Sequence, residues 1–351
     1  MLKPFTPDSA LPPQEAGWDE NLRFAYSEGD AFWLTRWTAK DGWEPGRLYE
    51  HRGARLELSP GAAVLYYGEG VFEGLKAYRT RAGKIVLFRP RDNALRLRAS
   101  AARLALPAPP VEMFMEAVTA VVRANARWVP VPEKGSFYLR PVLIGTEAIL
   151  GVRPAEECLF YVFGCPVGPY MGGEKVIVLS AAHRSAPYGT GAAKAAGNYA
   201  GCLRPQKIAK EMGYVDALYL DAREDRYIEE LTGANVFAIL RDGTLVTPAL
   251  GSILPGITRE SVLTIAREVF GWLAVERKLA IDEVLADAAE AFYVGTAAAL
   301  FPVTVINYKG KDYIIGDGQP GPRAKMLRQA LVEIQLQERP DPWGWVVEVP
   351  V

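Results

Sequence analysis

Lys194 sits in the segment GTGAAKAAGNYAG among Gly189, Gly191, Ala192, Ala193, Ala195, Ala196 and Gly197, none of which puts bulk beside its amine. A flat ligand could approach closely there. A lysine used covalently must be partly desolvated, because burial disfavours the ammonium form and leaves a nucleophile at neutral pH. The same small-residue run equally suits a helix packed tightly on a strand with Lys194 turned to water, so this segment alone leaves both readings open.

Three further stretches bear on the choice. LPGITRES places a Pro-Gly turn before a helix beginning near Thr258, and the first N–H groups of such a helix form an anion site, although an ordinary capped helix reads the same way. IEELTGAN sets Glu229 and Glu230 before a small-residue turn and an apolar strand, where one carboxylate could point inward or merely end the strand. Between Lys76 and Arg103 there are nine basic residues, Arg89 among them, against the single acid Asp92. That suits a solvated surface or a small phosphorylated ligand better than nucleic acid, because the chain as a whole has a net charge of −1.

Other chemistries are excluded by count. Two histidines, His51 and His183, cannot build a three-histidine metal site or an H-E-x-x-H helix within one chain. Three cysteines, Cys158, Cys165 and Cys202, show no C-x-x-C spacing, which argues against a disulfide scaffold or a cysteine zinc site and for a reducing cytoplasm. No G-x-S-x-G elbow or P-loop occurs; the G-x-G-x-x-G match at Gly316, Gly318 and Gly321 is crowded by Pro320 and Pro322 and lacks room for a second strand. The start lacks a signal-peptide pattern, and no apolar run approaches the roughly 20 residues that span a bilayer. A soluble, cytoplasmic protein without membrane or nucleic-acid partners is expected.

The elements that must hold these residues follow from length and periodicity. At about 150 residues per domain, 351 residues suggest two domains. The first twenty residues, with Pro4, Pro7, Pro12 and Pro13, read as an irregular lead-in. LKAYR and IVLFR flank a hairpin connection containing Gly83, and a helix follows from Asp92 with Leu95, Ala99 and Ala102 on one face. A second helix fits Val111 to Trp128. SFYLRPVLIG and CLFYVFG read as buried strands, and the Pro/Gly-rich CPVGPYMGGEK after them as a linker. KVIVLSA and DALYLDA read as strands, ANVFAIL and TLVTP as a hairpin about Asp242-Gly243 with both central residues at positive φ, and Thr258 to Phe270 as a helix. Leu327, Leu331 and Ile334 mark the last helix. Hairpins mixed with helices predict an α+β fold: a smaller domain 1–165, a linker 166–175, and a larger domain 176–351 carrying Lys194.

Taken together, GTGAAKAAGNYAG, EELTGANVF and ILPGITRES, in this order and spacing, resemble the signature of fold type IV pyridoxal-phosphate enzymes. YYGEGVFEGLKAY, LFRPRDN, SFYLRPVLIGTE and CPVGPY narrow the resemblance to the longer form of branched-chain-amino-acid aminotransferases, over about Phe24 to Ile334. This implies two unequal α/β domains and pyridoxal 5′-phosphate as cofactor. Lys194 would carry the cofactor and then shuttle a proton between the substrate Cα and the cofactor C4′. Glu230 would keep the pyridine nitrogen protonated, Tyr199 would bond the phenolate, and Arg89, Ile257, Thr258 and Thr296 would hold the phosphate.

For the substrate, the resemblance points to Tyr67, Phe72, Tyr138, Tyr170 and Ala297, with the Thr296–Ala297 backbone toward the α-carboxylate and Arg140 toward the distal carboxylate of glutamate or 2-oxoglutarate. It implies a homodimer with shared sites, in which Tyr67, Leu150 and Val152 serve the neighbouring subunit. The implied reaction is ping-pong transfer of the amino group of L-leucine, L-isoleucine or L-valine to 2-oxoglutarate. A D-amino-acid aminotransferase and an aminodeoxychorismate lyase share the fold, and a non-catalytic anion-binding protein would keep the basic stretch without needing Lys194. GTAAALFP stands where mammalian relatives carry a redox pair of cysteines, and residues between Glu20 and Arg36 receive no role.

Overall fold

Along Ser136–Gly145 the side chains alternate, Phe137, Leu139 and Leu143 to one side and Tyr138, Arg140 and Val142 to the other, which is the period of an extended strand. In the computed structural model, which describes residues 2–6, 22–168, 172–179 and 182–351, this stretch lies inside a nine-stranded sheet.

The strands before it are β1 (Ala31–Thr38), β2 (Gly42–Trp43), β3 (Arg47–Glu50), β4 (Gly70–Phe72), β5 (Leu75–Arg79) and β6 (Ile85–Phe88). Ser136–Gly145 is β7 and Glu157–Val167 is β8. Three helices accompany them: α1 (Ala63–Tyr67), α2 (Pro90–Arg103) and α3 (Val111–Ala124), the last followed by a 3₁₀ turn at Ala126–Trp128. Then come β9 (Lys175–Ile177), α4 (Gly197–Ala200), α5 (Leu203–Glu211), β10 (Asp216–Leu220), β11 (Ile228–Leu231), β12 (Asn235–Leu240) and β13 (Leu245–Pro248). After α6 (Ile257–Thr264) follow β14 (Ala274–Arg277), α7 (Ile281–Asp287), β15 (Ala288–Gly295), β16 (Ala299–Val303), β17 (Val305–Tyr308), β18 (Lys311–Ile314), α8 (Pro322–Gln335) and β19 (Val346–Val349).

The first sheet runs β19-β6-β5-β7-β8-β1-β2, with β3 on β1 and β4 on β7, all antiparallel. One face carries Val71, Leu75, Leu139, Phe160 and Val162 against Leu97 of α2 and Phe114 and Val121 of α3. Each such side chain contributes about 1.5–3 kcal/mol by leaving water. The other face carries Phe72, Tyr138, Arg140, Phe163 and Cys165, because Arg140 pairs Phe163 and Tyr138 pairs Cys165 across β7 and β8. Gly74 is required beside them: a Cβ there would stand 2.0 Å from the Tyr138 hydroxyl oxygen.

The second sheet runs β14-β13-β12-β11-β10-β9-β17-β18, with β15 joined to β12 and β16. It mixes parallel pairs (β9 with β10 and β17, β13 with β14) with antiparallel ones. All of β12 and β13 is buried, the reading expected of strands covered on both faces. Among the described residues no helix is long and apolar enough to cross a membrane.

Several expectations are corrected. In α2 the buried side is Ala94, Leu97 and Ala101, while Leu95 is exposed; the alanine-rich sequence offers two rival stripes, and packing against α3 selects the one containing Leu97. The predicted helix Thr258–Phe270 is α6 followed by a π turn at Ile265–Val269. In the Asp242-Gly243 connection only Gly243 takes a positive φ, +88°. Cys165, Pro166 and Val167 continue β8 as a strand rather than opening a linker, and residues 169–171, with Tyr170, lie outside the described residues.

The chain divides into one unit of Met1–Tyr170, Ala193–Gly197 and Ile334–Val351 and a second of Met171–Ala192 and Asn198–Glu333. The break after Tyr170 falls within the expected linker 166–175, and the segments 193–197, with Lys194, and 334–351 belong to the first unit. The physical reason is pairing: β19 completes the first sheet beside β6, and Ala195 bridges to Val71 of β4.

Candidate active site

The small residues around Lys194 serve a close backbone pairing. The amide of Phe72 donates to the Lys194 carbonyl at 3.1 Å, and the amide of Ala196 donates to the Gly70 carbonyl at 2.9 Å. The amide of Lys194 itself donates to the buried Ser100 Oγ of α2 at 2.9 Å. Helix begins only at Gly197. The lysine backbone is thus held at both its donor and its acceptor, and its Nζ lies 5.0 Å from the centre of the Phe72 ring.

Phe72 also receives Arg140, whose guanidinium carbon is 4.8 Å from the ring centre, and Arg140 Nη2 donates to the Tyr138 hydroxyl at 3.2 Å. The Arg140 Nε is buried with no hydrogen-bond partner among the described residues. A cavity of about 250 Å³ opens beside it, lined by Phe24, Tyr26, Tyr138, Arg140, Phe163 and Cys165. Phe24 meets Tyr138 edge to face at 5.0 Å. Phe24 and Tyr26 fall in the stretch to which sequence reasoning assigned nothing; their one signal was aromatic spacing of two, which puts both rings on one side of an extended chain.

Tyr67 follows on α1, and its hydroxyl donates to the Leu150 carbonyl. Leu150 and Val152 stand 90% and 87% exposed, unusual for large apolar side chains. Arg89 is the N-cap of α2 at φ 51°, a left-handed conformation uncommon for a residue with a Cβ. It is held there by its amide on the Trp345 carbonyl (2.7 Å), by its Nε on Asp92 (2.7 Å) and by its guanidinium over the Trp345 ring. Most of the other basic residues of that stretch have structural partners. Arg79 donates to the carbonyls of Ala126 and Val129, Arg98 to that of Pro109, Arg81 pairs Glu338, Lys84 pairs Glu348, and Arg96 pairs Glu73.

In the second unit the two adjacent glutamates divide. Glu229 accepts from Ser185 (3.0 Å) and Ser252, whereas Glu230, 2% exposed, accepts from Arg184 Nη1 at 2.5 Å. Burial, the largest single influence, works against the charge of Arg184, but Glu230, Tyr199 and Cys202 together outweigh it and hold the guanidinium above its usual range. Arg184 also lies 5.5 Å from the Tyr199 ring centre, so it links two of the expected residues. Nothing in the sequence around Arg184 distinguished it from a surface arginine.

Glu230 is tied to the start of α6 as well. Its Oε1 accepts the Leu254 amide at 3.3 Å; its Oε2 accepts Asn235 Nδ2 at 3.3 Å, and Asn235 also donates to the Leu254 carbonyl at 3.1 Å. Gly256, at the N-cap, permits this: a Cβ would lie 2.0 Å from Asn235 Oδ1. Ile257 and Thr258 then open the helix, whose N-cap glycine offers no side-chain acceptor. Thr296 and Ala297 form the turn between β15 and β16.

Taken unit by unit, the residue types suit pyridoxal phosphate. In the first unit Lys194 would supply an amine for its aldehyde and Arg89 an anion donor; in the second the first turn of α6 would supply further anion donors and Tyr199 a phenol. The buried Glu230 carboxylate supplies the negative charge a protonated pyridine nitrogen needs.

Comparison with known proteins agrees. The family described as amino-transferase class IV matches residues 70–306. The chain is 42% identical over 340 residues to branched-chain-amino-acid aminotransferase 5, chloroplastic, of Arabidopsis thaliana, covering 95% of this chain and 80% of that protein. It is 42% identical over 338 residues to the branched-chain-amino-acid aminotransferase of Helicobacter pylori, covering 94% and 97%. Among solved structures, the branched-chain amino acid aminotransferase of Escherichia coli superposes with a TM-score of 0.78 at 30% identity, over 92% of this chain and all of that one. A second branched-chain amino acid aminotransferase, solved with pyridoxamine 5′-phosphate, superposes with a TM-score of 0.76 at 30% identity, over 93% of this chain and all of that one. With an anchored lysine, a buried acid and this kinship, the chain belongs to the class IV aminotransferases and is a pyridoxal-phosphate-dependent transaminase.

Proposed function

We propose that this transaminase moves the amino group of L-leucine, L-isoleucine or L-valine to 2-oxoglutarate in two half-reactions. The observation that carries the substrate assignment is Arg140: a guanidinium whose buried Nε has no partner among the described residues, on the wall of an otherwise largely aromatic cavity. Aromatic walls accommodate a branched aliphatic chain, and an arginine accommodates the distal carboxylate of the second substrate, whose unpaired burial would cost several kcal/mol. The curated relatives named above support the same reading.

Bound pyridoxal 5′-phosphate supplies an electron sink for the carbanion formed at the substrate Cα. The protein does the rest. With the cofactor bound, the Lys194 amine would take the proton from the substrate Cα and deliver it to C4′; its fixed backbone limits that movement to the side chain. Glu230, ion-paired with the buried Arg184, would face the pyridine nitrogen and favour its protonated form. Tyr199 bonds the phenolate oxygen, while Arg89, Ile257, Thr258 and Thr296 hold the phosphate. Phe72, Tyr138 and Arg140 bind the side chain, and Ala297 with Thr296 the α-carboxylate.

A homodimer in the cytoplasm completes the reading. The exposed Leu150 and Val152 beside Tyr67 are suited to a second subunit's site, and three free cysteines suit a reducing compartment. The test is a half-reaction screen, following the cofactor spectrum as single amino acids are added to the holoenzyme. Conversion by L-leucine, L-isoleucine, L-valine and L-glutamate is expected. Conversion by D-amino acids alone would overturn the assignment in favour of the D-specific relatives.

A further inference from the structure

We infer that Tyr26 is a specificity-determining residue of the side-chain cavity, presenting its hydroxyl proton to the distal carboxylate of glutamate or 2-oxoglutarate, and that His51 is the positioning residue that leaves this proton available. The inference rests on the transaminase reading above and adds a further donor to Arg140.

His51 is buried among the rings of Phe32 and Phe163, each 5.8 Å away, and that of Tyr26 at 6.0 Å. Its Nδ1 accepts the Gly29 amide at 3.1 Å, so Nδ1 carries no proton. A neutral imidazole of that form bears its hydrogen on Nε2, which lies 3.2 Å from the Tyr26 hydroxyl oxygen. Burial favours this neutral form, pushing His51 below its ordinary range although Glu28 acts the other way. Tyr26 is therefore the acceptor in this bond, and its own O–H must donate elsewhere.

Tyr26 is 64% exposed, so in the free protein this proton is available to water, and a carboxylate entering the adjoining cavity would take that water's place. The Tyr26 ring packs edge to face on Phe163 at 5.7 Å and lines the same space of about 250 Å³ as Arg140. Its neighbour Cys165 turns its thiol to the Ser27 carbonyl at 3.0 Å and offers the cavity nothing. Among the described residues no carboxylate lines the space, while Arg140, Tyr26 and the Tyr138 hydroxyl that accepts from Arg140 bring donors to it. A branched aliphatic chain has no use for them. A carboxylate withdrawn from water needs several donors, and this cavity supplies a charged one from Arg140 and neutral hydroxyls from Tyr138 and Tyr26.

The test compares binding of two unreactive acids, glutarate and 4-methylvalerate, to the holoenzyme by calorimetry. In Tyr26→Phe, which keeps the ring and its packing, the ratio of glutarate to 4-methylvalerate Kd should rise about tenfold, the loss of one hydrogen bond to a charged group. His51→Asn retains an acceptor for the Gly29 amide but withdraws the donor to Tyr26, so the ratio should rise in the same direction. His51→Gln, with an amide N–H reaching toward the Nε2 position, should restore it. An unchanged ratio in Tyr26→Phe, or equal weakening of both acids, overturns the proposal. If wild-type enzyme converts leucine and glutamate while the ratio is unmoved, only this proposal fails; if it converts neither, the transaminase assignment fails first.

Discussion

The amide of Lys194 donates to Ser100 Oγ at 2.9 Å, so a residue of α2 fixes the backbone from which the reactive amine projects. Ser100→Ala removes that acceptor inside a buried site and should destabilise the local arrangement by about 1–3 kcal/mol. Faster hydrogen exchange at the Lys194 amide and a several-fold lower kcat are expected. Lys194→Ala should abolish multiple turnover, and borohydride reduction of the wild type should place the pyridoxyl group on Lys194. Label on another lysine would end the assignment.

Glu230→Gln should slow the proton-transfer step far more than it weakens cofactor binding, because an amide holds a pyridine nitrogen protonated poorly. It also leaves Arg184, 2% exposed, without its charged partner. Half-reaction rates at saturating leucine measure this; rates equal to wild type would remove Glu230 from the role.

Arg140→Ala should cost the acidic substrates about 2–5 kcal/mol, the range for a buried charge pair, while leaving apolar contacts largely intact. The kcat/KM for glutamate and 2-oxoglutarate should fall much more than that for leucine and its keto acid. Equal losses for both classes would make Arg140 a structural residue.

The three thiols should not act as a peroxide switch. Burial pushes each above its ordinary range, Cys158 to about 12, so the reactive thiolate is scarce at neutral pH and grows only as pH rises toward those values. Rapid inactivation by mild peroxide at pH 7, reversed by a reductant, would contradict this.

Arg96 grips Glu73 through two bonds of 2.7 and 2.8 Å, with Glu73 fully buried directly after Phe72. Glu73→Ala should destabilise the protein by about 3–5 kcal/mol by removing the carboxylate that takes both of these bonds from a largely buried guanidinium. Adding Arg96→Met should recover part of that loss. Chemical denaturation of the single and double variants reads both; a single variant as stable as the wild type would show that the pair contributes little.

What could be read beforehand was local. SFYLRPVLIG matches β7 residue for residue, because alternation and β-branched content act within the segment itself. The hairpin about Gly83 is present for the same reason. The pairing of Lys194 with β4 was not legible, since it joins residues more than a hundred positions apart and small residues carry no sign of their partner. Arg184 was missed likewise: its importance lies in Glu230, not in its own neighbours. Leu95 misled because a single exposed leucine imitated a buried stripe in a helix otherwise rich in alanine.

The edge strand Val346–Val349 lies beside β6, although most of the sequence stands between them. On a ribosome that emits residues from the amino end, the first unit must therefore wait, its sheet edge open, until this late strand has emerged. Removing the segment from Asp341 onward would expose that edge and take away Trp345, on which Arg89 rests. A split-gene expression of the two units would need to cut the coding sequence at four places rather than one.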